Sequence, residues 1–147
     1  MEKIIWMVIA FLSGVLLPIQ AGFNSKLGKS IESPIYASMI SFIVGVFSIF
    51  VYILLTRQTM ILQGLKQAPT YSLLGGALGA FYVTFIILAF PKIGPALTFG
   101  LVVAGQMIMA ILLDHFNILV AAPHSINIWR IFGVALIILG VIIIRKF

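Results

Sequence analysis

Residues 4–24 read IIWMVIAFLSGVLLPIQAGFN, an unbroken stretch without a single charge. A helix of that length rises about 30 Å, which is the thickness of a bilayer's hydrocarbon core. The preceding Glu2-Lys3 gives the start some likeness to a signal peptide. The apolar run, however, outlasts the usual h-region, and no small-x-small cleavage site follows it. The segment is therefore expected to be a retained transmembrane helix, with Trp6 at the depth where amphipathic rings favour the interface.

Working outward from this stretch, the same pattern recurs. Further apolar runs occupy about 34–55, 71–90, 96–113 and 126–144. The expectation is an all-α integral membrane protein of five transmembrane helices, forming a single transmembrane domain over 1–147. Ser33-Pro34 should open the second helix, with the serine as cap and the proline in the first turn. Between 56 and 70, Met60, Ile61, Leu62 and Leu65 suggest a segment lying in the interface, with Arg57, Gln63 and Lys66 in water. Pro91-Lys92-Ile93-Gly94-Pro95 should break the chain, and Ser125 should cap the last helix.

Composition agrees. Of 147 residues, 63% are hydrophobic and 8% charged, where soluble domains carry about 25% charge. The absence of cysteine removes disulfides, thiolate metal sites and cysteine nucleophiles. The net charge of +6 is scattered between apolar segments. It forms no stripe able to neutralise consecutive phosphates, which argues against nucleic-acid binding. The lipid bilayer is the expected surrounding.

An odd number of spans puts the termini on opposite sides. Lys3, Arg57, Lys66 and Arg130 then mark one side, and Lys26, Lys29, Lys92, Arg145 and Lys146 the other, four against five. Orientation follows the Lys and Arg bias, which is nearly absent here. A chain inserting both ways can assemble as an antiparallel, inverted-topology homodimer, the architecture from which many secondary transporters are built. A single orientation, paired with an oppositely oriented homologous half, remains the alternative.

Polar residues inside the spans are few, so each needs a reading. Ser13, Gln20 and Asn24 are spaced by seven and four and share one helix face. Pro18 lies among them and frees a carbonyl one turn earlier. Such a stripe either lines a substrate path or bonds neighbouring helices together. Gln106, flanked by Gly100 and Gly105, sits near the middle of the fourth span and carries the same two readings. Asp114 lies about 12 Å further along, at interface depth. It is either a coupling carboxylate, an ion-pair gate with His115, or a solvated helix end. Gly75 and Gly79 form a small-xxx-small contact pattern, with Tyr82 continuing that face toward a cavity or a neighbouring helix. Gly133 and Gly140 mark a second close-packed seam. Trp129 and Arg130 read as interfacial anchors, the arginine also able to meet an anionic substrate or head group.

His115 and His124 lack regular ligand spacing, so no metal and no cofactor is implied. No nucleophile with an orienting base, phosphate loop or paired carboxylates is present, and an enzyme is the least supported class.

Taken in order, several motifs converge. They are Gly14-x-x-x-Pro18-x-Gln20-Ala21-Gly22-x-Asn24-x-x-Leu27, Gly75-Gly76-x-Leu78-Gly79-Ala80, Pro91-x-x-Gly94-x-Ala96, and Gly105-Gln106 with Asp114-His115-Phe116. The set resembles the YdcZ-type family of the drug/metabolite transporter superfamily. That resemblance implies a multi-pass protein of the bacterial inner membrane, made of about five helices. The family occurs as half-length chains or fused tandem copies of opposite orientation. Two positions depart from its pattern. Ser72-Leu73 stand where an aromatic pair is usual, and Asn117 stands where glycine usually follows Asp-His-Phe. The chain also lacks the embedded glutamate of the related small multidrug-resistance exporters. The expected function is secondary transport of small metabolites or drugs by alternating access, across a site lined by Gln20, Asn24 and Gln106. A non-transporting membrane subunit or scaffold, and a dual-topology ion channel, are the competing readings.

Overall fold

The computed structural model describes residues 2–59, 62–120 and 124–147, with the backbone alone at Leu62, Gln63 and Leu65. Its elements are α1 (Glu2–Ser30), α2 (Pro34–Thr56), a short α3 (Leu62–Gln67), a 3-10 turn (Thr70–Leu73) running into α4 (Leu74–Ile93), α5 (Pro95–Phe116) and α6 (Ile128–Lys146). No strand occurs among the described residues. Among the described residues, five segments are long and apolar enough to cross a membrane: Glu2–Ser30, Pro34–Thr56, Thr70–Ile93, Pro95–Phe116 and Ile128–Lys146. Helices satisfy every backbone group within the segment, which is why hydrocarbon admits them.

Several boundaries differ from the sequence expectation. The first helix does not end at Asn24 but continues to Ser30. Nothing in Asn24-Ser25-Lys26 stops a helix. The stop comes at Glu32, in the left-handed region at φ 52°. There Glu32 N–H donates to Lys29 O and Ser33 N–H to Gly28 O, the paired bonds of a Schellman end. The same closure recurs at Arg57 and at Asn117, both left-handed. Asn117 thus occupies the conformation that glycine adopts at no steric cost, and asparagine is the side chain that tolerates it next best.

Pro91 does not break the chain, because the helix carries it in its last turn and proceeds to Ile93. Gly94, at φ 79°, makes the break, and Pro95 opens α5. The fourth span reaches Phe116, so Asp114 and His115 belong to its final turn rather than to a loop. Asn127, not Ser125, caps the last helix by accepting from Arg130 N–H at 2.9 Å. The helix accordingly starts at Ile128, two residues later than expected, and runs to Lys146. At the second helix, Ser33 accepts from Tyr36 N–H at 3.3 Å with Pro34 beside it. Between α2 and α4 the helix Leu62–Gln67 occupies part of the expected interfacial segment, while Met60 and Ile61 lie outside the described residues.

The chain divides into two compact units, residues 1–92 and 93–147. In the first, α1 and α2 fold back on each other across the three-residue turn 31–33. Their seam is made of small side chains, with Ala21, Ser25, Gly28, Ala37 and Ser38 all buried. A Cβ at Gly28 would come within 3.2 Å of Ile87 Cγ2 on α4 and 3.5 Å of Pro34 Cα. In lipid no water is released when helices meet, so backbone proximity and dispersion carry the association. In the second unit, α5 and α6 pack where Gly100 faces Val141, whose Cγ2 would lie 3.0 Å from an added Cβ. Nearly all large apolar side chains point outward, Phe11, Leu55 and Trp129 among them. In water such a surface would aggregate, whereas in hydrocarbon it is the solvated one.

Candidate functional site

Asn24 is the side chain around which the site is built. Because α1 continues beyond it, Asn24 is held within the α1–α2 seam and is only 7% exposed. Its Nδ2 is buried and has no hydrogen-bond partner among the described residues. Beside it lies a cleft of about 500 Å³. From α1, Gln20 and Asn24 line the cleft along with Leu16, Leu17 and Phe23, and from α2 come Ser41 and Gly45. The spacing of four between Gln20 and Asn24 puts both amides on the cleft side, as the stripe required.

Ser13, the third member of that stripe, behaves differently. It is exposed, returns its hydroxyl proton to Ile9 O at 2.9 Å, and does not line the cleft. Ser38 and Ser48 make the same bond one turn back, to Pro34 O and Val44 O. Ser41 makes no such bond among the described residues, leaving its hydroxyl for the cleft. Sequence spacing missed Ser41 because α2 bears several serines, and only their hydrogen bonding separates them.

A second groove in the first unit, of about 490 Å³, runs between α2 and α4 and is lined by Met39, Phe42 and Val46 with Ser38 and Thr84. Thr84 Oγ1 lies 2.8 Å from both Ser38 Oγ and Ala80 O and can donate to either, while Ser38 gives its own proton to Pro34 O. Tyr82, also on α4, has a buried hydroxyl with no partner among the described residues. Gly79 faces Phe42 of α2 at 3.7 Å, while Gly75 has open space where a Cβ would stand.

In the second unit Gln106 is exposed on α5. Gly133 and Gly140 likewise face open space. Asp114 pairs with Arg130, whose other Nη donates to His124 O at 2.8 Å. His115 is not the ion-pair partner of Asp114; its Nδ1 accepts from Ile126 N–H at 3.5 Å. Asn127 places Arg130 in the first turn of α6, opposite the last turn of α5, and this is what brings the opposite charges together. Among the described residues no three His, Asp or Glu side chains gather where a metal could be held.

The family model described as "Putative inner membrane exporter, YdcZ" matches residues 5–143. The chain belongs to the YdcZ family. Over 131 residues it is 28% identical to the inner membrane protein YdcZ of Escherichia coli (strain K12), covering 86% of this chain and 84% of that protein. No solved structure matches it. This YdcZ-family chain is thus a multi-pass inner-membrane protein, and its family's description is that of an exporter, a membrane transporter.

Proposed function

We propose that the chain is a half-size secondary transporter of small metabolites, working as an antiparallel pair by alternating access. The observation that carries this reading is the unpartnered Asn24 Nδ2 beside a cleft that Gln20 also lines. A purely structural amide would be expected to spend its donors on a neighbouring helix, since a buried donor left unmade costs stability. Gln106 is the mid-span amide of the second unit and is assigned to the same path. Tyr82 and Ser13 are its more peripheral members. The paired Asp114 and Arg130, with His115 beside them, are assigned the role of a gate at one end of α5 and α6. Gly133 and Gly140, open in the single chain, serve contact with the second copy, and Gly75 and Gly79 serve helix packing. In this reading both units of the chain act together as one transmembrane domain.

The test is counterflow in proteoliposomes reconstituted with the purified chain and supplied with a labelled bacterial metabolite extract. Saturable, protein-dependent exchange of at least one neutral compound is expected. It should be lost in Gln106→Leu while the oligomer elutes unchanged. Absence of any exchange, together with a fixed stoichiometric partner co-purifying, would favour a scaffold instead. Fast, non-saturating flux would favour a channel.

A further inference from the structure

We infer that the end of the first unit where α1 and α4 leave the hydrocarbon is a seat for an anionic phospholipid. Lys26, Lys29 and Lys92 hold its phosphate, and its acyl chains lie along apolar stripes beneath them. This seat faces lipid and shares no residue with the proposed transport path. On α1, Val15, Ile19, Gly22, Lys26 and Lys29 follow at spacings of four and three and so share one face. On α4, Phe81, Phe85, Leu88 and Lys92 are spaced in the same way. The large apolar members of both stripes are exposed, and each stripe ends in exposed lysine. The helices meet at this end. A Cβ at Gly22 would lie 3.8 Å from Phe90 Cζ, and one at Gly28 would lie 3.2 Å from Ile87 Cγ2. Phe90 thus joins the α1 stripe to the turn of α4 that carries Lys92, whose long stem extends the reach of its ammonium group.

Depth and charge then name the occupant. The 29 residues of α1 rise about 44 Å against about 30 Å of hydrocarbon, so its last turns stand at phosphate level. Among the described residues none of the three lysines makes an ion pair, and neither does nearby Glu32. A lysine in a last turn also answers the helix dipole. Here, though, three lysines from two helix ends gather over one lipid-facing seam. Basic groups between transmembrane helices at this depth suit anionic head groups. A zwitterionic head group brings its own cation against the lysines. Free phosphate gains only exposed charges that salt screens, whereas a lipid adds dispersion along both stripes.

The test titrates the purified full chain in mixed micelles with phosphatidylglycerol or with phosphatidylcholine of the same acyl chains, and counts bound lipid by native mass spectrometry. Phosphatidylglycerol should bind about tenfold more tightly or better. The combined variant Lys26→Gln, Lys29→Gln, Lys92→Gln should lose that preference, at about fivefold per lysine. Arginine at the same three positions should keep it. So should Lys3→Gln, Arg57→Gln, Lys66→Gln, which removes as many cations from α1, the α2 cap and α3. Because the lysines are exposed, elution and helicity should match the unmodified chain. If the combined variant fails that check, the three single variants carry the test, each losing about fivefold. No preference in the unmodified chain, a preference that survives loss of the three lysines, or equal loss in the second combined variant would overturn the inference. Displacement of the lipid by millimolar inorganic phosphate would overturn it too, marking a free-anion site instead.

Discussion

A buried amide nitrogen without an acceptor lowers stability by about 1–3 kcal/mol, so Asn24 is held against a thermodynamic gradient. Asn24→Leu should therefore raise, or leave unchanged, the thermal unfolding midpoint in detergent while abolishing exchange in proteoliposomes. A variant that loses both stability and activity would place Asn24 among the packing residues. Glycines give a second contrast at this scale. An alanine methyl at Gly100 meets Val141 at 3.0 Å, and overpacking of that kind costs about 1–3 kcal/mol. Gly105→Ala meets nothing within 4 Å and should be neutral in the same unfolding assay. Which glycine is crowded is illegible in the sequence, because GxxxG spacing marks candidates and only the neighbour's position distinguishes them. The polar stripe was legible at Gln20 and Asn24. Ser13 lies outside the cleft and bonds one turn back, which spacing alone does not show, because a serine in hydrocarbon can satisfy itself that way.

At the scale of elements, hydropathy located all five spans, since uninterrupted apolar runs of this length have no other comfortable environment. Helix ends were less legible. Each of the three Schellman closures uses a non-glycine residue, Glu32, Arg57 or Asn117, so the usual glycine signal was missing. Proline misled at Pro91, because one ring removes only its own bond back to Ile87 and α4 continues through it to Ile93. The Asp114–Arg130 pair escaped notice for a related reason. Its partners are sixteen residues apart and meet only because α5 extends to Phe116 and Asn127 sets the start of α6. Asp114→Asn should loosen the ends of these two helices, seen as faster amide hydrogen exchange at residues 124–130 with protection elsewhere in α5 retained. Unchanged exchange there would remove the pair as a fastening.

For the whole molecule, the balance of four orienting charges against five makes Arg130 pivotal. Insertion responds to Lys and Arg far more than to Asp and Glu, so Asp114 does not cancel Arg130 in that count. Arg130→Gln should change the count to three against five. More copies should then place Lys26, Lys29 and the C-terminus in the cytoplasm. A pair in which copies run in opposite directions is the arrangement that turns a five-helix chain into two related halves about one path. The outward apolar surface is compatible with that pairing and with lipid alike, so orientation has to be measured directly. Gly28 is unsuited to a reporter thiol, being buried against Ile87, whereas Ser30 and Gln58 are exposed at opposite ends of the α1–α2 hairpin.

The most direct measurement is therefore made on Ser30→Cys and Gln58→Cys in the cysteine-free chain, expressed in intact cells. Each is labelled with a membrane-impermeant maleimide before and after permeabilisation. If the chain functions as an antiparallel homodimer, about half the copies of each variant should react from outside, as equal insertion in both directions requires. Full external reaction of one variant and none of the other would contradict it.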